Sequence, residues 1–598
     1  MCSRVKASPN SSAVRRRNRD ALQAAGYQVV ESAVAHDATL TVDELVGGLF
    51  SVMSADELPP QRRSPHPCNL VDASTVLPND DIHETTGGTS MGRRLAAASL
   101  ATLLGLAPVA PAAAAAPVTF TPGAPGLGDP HYPLSGNGGY DVRHYDLDVR
   151  YAPATDELTG HATILAAATQ HLSRFDLDLT GLAVDAIRVN DRPAAWTRDG
   201  GELVITPARG LREGQPFTVD VRYHGVPVRY SYPSDIPGEP AYEYGFIRTD
   251  DGAIIAGEPE SATLWFPVND HPRDKATYSM RLTVPEGLTA IGNGVPLGSS
   301  TRDGWTTWRW AALTPVASYL STMAVGRFRV DQHLHDGRPT VIAVDAALAP
   351  EVADPVVGRT DEITDYLETL FGAYPMEANG AIVDRADTLW FALETQTRPT
   401  YPASYFTSGT SRYQATVVAH ELTHQWFGDS VSVANWYDTW LNEGFATYGE
   451  WMWGEHDGWF TVQHEFNQFY EFPIDHPFWA PAYDPAGERP WGLSAYTRGA
   501  MTLHALRMHV GDATFFRILR TWAAERRYAN GSTEQFAALA SRVAGRDLRP
   551  FIMDWLAGPQ KPPNPDPAPA ALAAPATTGG GCAPPTGLPP RIMAGCGR

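Results

Sequence analysis

Cysteine is scarce and poorly placed for structure or chemistry. The 598 residues hold four, Cys2, Cys68, Cys582 and Cys596, all outside the stretch that carries recognisable motifs. That excludes a disulfide framework for the core and a thiolate metal site at the motifs. A Cys582–Cys596 pair would at most staple a short loop in an oxidising compartment. Basic residues are also few, 46 Lys and Arg against 67 Asp and Glu, for a net charge of −21. This balance argues against nucleic acid or an anionic membrane as partner, since either needs a basic patch. Uninterrupted apolar length is lacking too. The apolar stretch Leu95–Ala107 is short and is followed by Pro108 and Pro111, whereas a bilayer span needs roughly twenty apolar residues. No stable membrane insertion is expected.

What that stretch does resemble is a secretory signal. Gly92-Arg93-Arg94 gives a short positive segment, Leu95–Ala107 the apolar segment, and Ala112–Ala116 small-residue cleavage sites. Its place ninety residues into the chain is wrong for a signal unless translation begins at Met91. The expectation is therefore a secreted protein with a signal peptide over 91–116, and residues 1–90 an artefact of the gene model or disordered. A cytosolic extension with an uncleaved anchor is the competing reading. At the other end, residues 558–598 are rich in Pro, Ala and Gly, too poor in buriable surface to order themselves, and read as a disordered tail.

Between these ends the pattern changes once. Over 117–329 short alternating runs such as Tyr145–Tyr151 and Phe217–Tyr223 are divided by turn clusters (Asn190-Asp191, Asp199-Gly-Gly201). Such runs predict an antiparallel β domain of saddle or sandwich type. Over 330–557 the signals become mixed and then mainly helical. Helical spacing runs over Asp361–Leu370, Gly380–Asp384 reads as a strand, and Ser532-Thr533-Glu-Gln535 is a capping signal. The fold class expected is α+β, with the β domain first and a mainly α domain second.

The chemistry concentrates in Val418-Ala-His-Glu-Leu-Thr-His-Gln-Trp-Phe427. On a helix His420 and His424 fall at i and i+4, one turn apart on one face, where two imidazoles can grip one metal ion. Glu421 lies beside them, placed to act on water activated by that metal. Catalytic zinc usually takes three protein ligands and leaves one position open. Glu443, in Trp440-Leu-Asn-Glu-Gly-Phe-Ala446, is the candidate third ligand, since the eighteen residues after His424 suffice for a helix end, a turn and a returning helix.

His-Glu-x-x-His with a glutamate at this spacing inside Asn442-Glu443-Gly444 resembles the signature of the aminopeptidase N family of gluzincin zinc metallopeptidases, peptidase family M1. The resemblance implies a saddle-shaped β domain followed by a thermolysin-like zinc domain, and one Zn²⁺ per chain on His420, His424 and Glu443. Further stretches are similar to family elements. Phe391-Ala392-Leu393-Glu394-Thr395 stands where members carry Gly-Ala-Met-Glu-Asn on an edge strand, which implies that Ala392, Leu393 and Glu394 bind substrate and that Glu394 holds its α-amine. Phe391 in place of glycine and Thr395 in place of asparagine are departures, and Phe391 should crowd the substrate pocket. Gly257-Glu258-Pro259 resembles the stretch that supplies a second side chain to the amine. Tyr496-Thr-Arg-Gly499 resembles the element whose tyrosine donates to the developing oxyanion.

The function expected is removal of N-terminal residues from peptides with a free N-terminus. Glu421 serves as general base and acid, and Tyr496 stabilises charge on the carbonyl oxygen. The rivals are an endopeptidase or epoxide hydrolase on the same scaffold, and a non-catalytic peptide-binding relative. The histidines also need outer support, for which Asp438 is a candidate. The family's larger members add a closing helical domain for which residues 558–598 leave no room.

Overall fold

The computed structural model describes residues 118–232, 242–386, 388–407, 410–485, 492 and 494–565. The expectations for residues 1–90, for the signal segment 91–116 and for the tail from 566 onward lie outside the described residues.

The alternating runs form strands, and the alternation fixes their inward faces. In Tyr140–Ala152, Tyr145, Leu147, Val149 and Tyr151 are all fully buried, because side chains two apart share one face of a strand. This strand lies inside an eight-stranded sheet with the order Val295–Arg302, Trp305–Val316, Ala276–Pro285, Tyr140–Ala152, Glu157–Ala168, Pro216–Gly225, Ala183–Val189, Arg192–Pro193. The expectation of antiparallel pairing holds for most of the β half, with two parallel exceptions among the described residues, Ala276–Pro285 beside Tyr140–Ala152 and the short Thr121–Pro122 beside Leu172–Asp178. A four-stranded sheet around Leu172–Asp178 and a five-stranded sheet around Ala253–Ala256 complete the β half.

The next strand, Phe328–His335, already belongs to the second half. With Arg338–Asp345, Asn379–Asp384 and Thr400–Pro402 it makes a separate four-stranded sheet. Helices α1 (Pro350–Val357) and α2 (Thr360–Phe371) follow its second strand, and α3 (Ser404–Thr407) follows its last. Then come α4 (Ser411–His424), α5 (Trp440–His456), α6 (Val462–Tyr470), α7 (Gly499–Val510), α8 (Asp512–Glu525), α9 (Thr533–Ala544) and α10 (Arg549–Leu556). The capping signal at α9 is met in full: Ser532 accepts from the Gln535 backbone N–H, and the Gln535 side chain accepts from the Ser532 N–H.

Two close approaches bring the functional helices together. A Cβ on Gly449 of α5 would lie 2.1 Å from Thr423 Oγ1 of α4, and one on Gly444 would lie 2.8 Å from the Gly499 Cα of α7. Glycine at these positions lets α5 press against α4 on one side and α7 on the other. The start of the Pro- and Gly-rich tail departs from expectation. Arg498 donates to the Gly558 carbonyl at 2.6 Å, and the Tyr470 hydroxyl donates to the Pro562 carbonyl at 2.7 Å. These bonds hold residues 558–562 against the helical half. Among the described residues no helix is long and apolar enough to cross a membrane.

Candidate active site

Helix α4 begins at Thr410, whose hydroxyl accepts from the Tyr413 N–H, and its last turns carry His420, Glu421 and His424. Helix α5 opens just before Glu443 and returns it to the same place. The ligand atoms of His420, His424 and Glu443 all lie within 4.8 Å of one another. Glu443 Oε2 is 3.3 Å from His420 Nε2 and 3.4 Å from His424 Nε2.

The other face of each imidazole is occupied. His424 Nδ1 donates to the Phe427 carbonyl at 3.0 Å, and His420 Nδ1 donates to Glu450 Oε2 at 3.3 Å. Acceptors on both Nδ1 atoms orient the rings so that both Nε2 atoms converge with Glu443 Oε2, the arrangement a metal-binding histidine needs. The donor set, two imidazoles and one buried carboxylate, fits a catalytic zinc ion.

Glu450, not Asp438, provides the outer support. Asp438 instead accepts from the Thr533 N–H at 2.9 Å and hydroxyl at 2.6 Å, joining the approach to α5 to the start of α9. The signal for Glu450 was present in the sequence: it lies seven residues after Glu443, two helical turns along the same face.

A second set of acids adjoins the first. Ligand atoms of Glu394, Glu421 and His424 also lie within 4.8 Å of one another, and all three residues are buried. Glu394 is held in three ways. Tyr319 Oη donates to its Oε1 at 3.1 Å, Gln425 Nε2 donates to its carbonyl at 3.0 Å, and the Thr397 N–H returns to Gln425 Oε1 at 2.8 Å. Tyr319 comes from the β half and holds the carboxylate, while Gln425, which directly follows His424, holds the backbone, so both halves of the chain fix Glu394. Neither residue was identified from sequence; Gln425 carried no spacing signal, and Tyr319 is 75 residues away.

Leu393 is buried and exchanges both backbone hydrogen bonds with Thr400, at 2.9 and 2.8 Å. The expected edge strand is thus reduced to a single bridge, with half-buried Ala392 beside it. Phe391 is half-buried and packs edge-on against Trp390, ring centroids 5.5 Å apart. Glu258, half-buried in the loop after Ala253–Ala256, is close enough that its charge disfavours ionisation of both Tyr319 and Tyr496.

Tyr496 lies in a π-helical turn, Ser494–Arg498, that opens α7, a backbone irregularity frequent at functional sites. Its ring lies nearly parallel to that of His420, centroids 6.2 Å apart. The Gly444–Gly499 contact delivers it there. Burial first, then Glu443, Glu258, Glu394 and Glu421, hold its hydroxyl well above the ordinary tyrosine range, so it stays a proton donor.

The acids divide in character. Burial, reinforced by Glu394 and Glu443, pushes Glu421 up to about 8 against the pull of both histidines. Burial also acts on Glu443, but His424 and His420 outweigh it and bring that carboxyl down to about 2. Burial lowers and the neighbouring acids raise His424, to about 9. The neighbouring groups of this chain thus favour the anion at Glu443 and the proton at Glu421, a division in the direction that ligand and proton carrier need.

From the β half, half-buried Lys275 donates to the carbonyls of Asp429 and Ser430 at 2.6 and 3.0 Å, pinning the turn that ends the motif segment. Asp129 accepts from the Trp436 N–H at 2.8 Å, fixing the approach to α5.

Comparison with known proteins agrees with this division of the chain. Residues 142–320 match the Peptidase M1 N-terminal domain and residues 371–555 the Peptidase family M1 domain. Glutamyl aminopeptidase of Mus musculus is 27% identical over 69% of this chain, and leucyl aminopeptidase of Saccharolobus solfataricus 25% identical over 70%. The chain spans 46% and 54% of those two relatives. The M1 zinc metallopeptidase of Deinococcus radiodurans superposes with a TM-score of 0.65 at 31% identity, over 74% of this chain and 100% of that one. With both domains matched in the order the fold displays, and a solved relative matched along its whole length, the chain belongs to peptidase family M1.

Proposed function

We propose that the protein is a zinc aminopeptidase that hydrolyses the first peptide bond of peptides with a free N-terminus. The observation that carries this reading is Glu394, a buried carboxylate held beside Glu421 and His424. An acid at that place pairs with an α-ammonium through charge-assisted hydrogen bonds and leaves little room for a chain extending past it. Glu258 adds negative charge from the β half. Relatives named glutamyl and leucyl aminopeptidase support the reading, as does a mutant of the Deinococcus radiodurans enzyme bound to a Tyr-Ser-Ala substrate.

One zinc ion per chain would be held by His420, His424 and Glu443, and when bound it supplies Lewis acidity to the scissile carbonyl and to water. Glu421 accepts the proton of the attacking water and passes it to the leaving amine. Tyr496 donates to the oxygen on which charge develops, a contribution of about 3 kcal/mol to the barrier in comparable sites. Phe391 and Trp390 narrow the pocket for the first side chain. The protein is secreted, on the strength of the signal-like segment over 91–116.

The test is hydrolysis of aminoacyl chromogenic amides, each beside its N-acetylated form, by protein expressed from Met91. Cleavage of free-amine forms alone, abolished by a chelator and restored by zinc, is the expected result. Equal cleavage of the acetylated forms would overturn the exopeptidase reading in favour of an endopeptidase. Recovery of any peptide from residues 1–90 in the native protein would overturn the start at Met91.

A further inference from the structure

A second group of histidines and acids lies on the outer edge of the four-stranded sheet, on elements other than those that carry His420, His424 and Glu443. His333 and His335 are two apart on the edge strand Phe328–His335 and so share one of its faces, while Leu334 between them is exposed on the other. Asp361 and Asp365 are four apart on α2 and so share one helical face. The two faces meet. His333 Nε2 is 2.7 Å from Asp361 Oδ2, and His335 Nε2 is 2.8 Å from Asp365 Oδ1. Asp336 follows at the tip of the hairpin, in the left-handed conformation (φ 50°). Ligand atoms of His335, Asp336 and Asp365 all lie within 4.8 Å of one another.

We propose that this cluster is a second, exchangeable site for a divalent transition-metal ion, ligated by His335, Asp336 and Asp365. Three features select that class of ligand. An imidazole with two carboxylates suits zinc, cobalt or nickel better than calcium, which takes six to eight oxygens. Asp361 Oδ2 stands 3.9 Å from His335 Nδ1, behind the ring, so a small shift gives the carboxylate–histidine support that orients a ligand. Asp361 is itself steadied by the Thr340 hydroxyl, which donates to its Oδ1 at 2.8 Å. This outer arrangement parallels the one at His420, where Glu450 stands behind the ring.

Exposure sets the difference from the interior cluster. His335 is about a third exposed and Asp365 about half, so the ion keeps several waters and exchanges readily. The surrounding acids raise both histidines above their ordinary values, Asp361 and then Asp331 acting on His333, and Asp365 and then Asp361 and Asp336 on His335. The charged groups facing the histidines are Asp331, Asp336, Asp361 and Asp365, while the nearest cation, Arg338, is turned to Glu368 at 2.8 Å.

The experiment is titration of the full chain with Zn²⁺ by equilibrium dialysis at pH 7.5, with bound metal counted and peptidase activity measured on the same samples. Wild type should reach two equivalents, while activity saturates at the first. His335→Ala and Asp365→Asn should each stop at one equivalent with unchanged activity. Asp361→Asn should keep the second equivalent but bind it about 10–100-fold more weakly. A plateau at one equivalent in wild type, or a second equivalent retained by both His335→Ala and Asp365→Asn, overturns the proposal. The pairs would then be ordinary surface ion pairs.

Discussion

At the metal end of the site, the donors ride on two helices whose own periods align them: four residues from His420 to His424, seven from Glu443 to Glu450. At the amine end, Glu394 and Glu258 sit outside regular elements, and Glu394 is fixed by side chains from Tyr319 and Gln425. The first kind of order needs the two helices and their close approach at Thr423 and Gly449. The second exists only when both halves of the chain are folded against each other. The metal end thus rests mainly on packing within the helical half, and substrate selection on contacts between the halves. Changes at the metal end should act on chemistry or metal content. Changes at the amine end should act on which substrates are chosen.

The sharpest way to separate the two ends is Glu421→Gln. It keeps the shape and neighbours of the residue and removes the proton carrier. The expected outcome is a fall in kcat of about 10²–10⁴-fold, with zinc content and substrate affinity kept. Loss of bound zinc in the variant would mean that Glu421 serves the metal and not the proton.

The β half reaches the metal end through Asp129, and acid should loosen that link. His271 and the N–H groups of Trp436, His131 and Tyr132 together outweigh burial and hold the Asp129 carboxyl down at about 2, against an ordinary 3.8. A depressed carboxylate contributes stability that is complete above its unfolded value and disappears as pH falls through its folded value, so the window is about pH 4 to 2. The contribution lost is on the order of 2 kcal/mol. Denaturant unfolding of wild type and Asp129→Asn at pH 5 and pH 2 measures it. The stability gap between the two proteins should shrink by that amount in acid, and a constant gap would show the link to be neutral to titration.

Legibility in the sequence follows the same contrast. The β strands, α2, α9 with its capping box, and the pair His420 and His424 could be read because each is a spacing within one element, while Glu443, on the next long helix, was reached through its distance from His424 and the family resemblance. Glu450 could have been read by the same rule, while Asp438 stood only as a candidate for the outer support of the histidines. Its carboxylate in fact ties the approach of α5 to Thr533. Tyr319 and Lys275 could not be read, since nothing in a linear pattern says which residue of one half will meet a carboxylate or a turn of the other. Tyr496 was accessible through resemblance, yet its physical cause, the Gly444–Gly499 approach between two helices, appears only in three dimensions. The parallel pairing of Ala276–Pro285 with Tyr140–Ala152 was hidden for the same reason.

Glu450 offers a graded probe of the metal end. Glu450→Gln leaves an amide beside His420 Nδ1 and removes the charge that fixes its tautomer. Zinc affinity should fall about 10–100-fold, measured by competition with a chromogenic chelator, while activity at saturating zinc stays near wild type. An activity loss that excess zinc does not restore would place Glu450 in the chemistry.

The smallest effect is expected at Tyr319, and it bears most directly on the amine end. Tyr319→Phe keeps the ring against Trp436, where the centroids are 5.4 Å apart and edge-on, and removes one hydrogen bond to Glu394. A bond to a charged acceptor is worth about 1.5–3 kcal/mol, part of which a water entering the site would replace. The ratio of kcat/KM for free-amine over N-acetylated substrates should therefore fall about tenfold, mainly through KM for the free amine, with zinc content unchanged. If the ratio holds while kcat drops for both substrates, Tyr319 steadies the metal end through Trp436 and not the carboxylate that selects the amine.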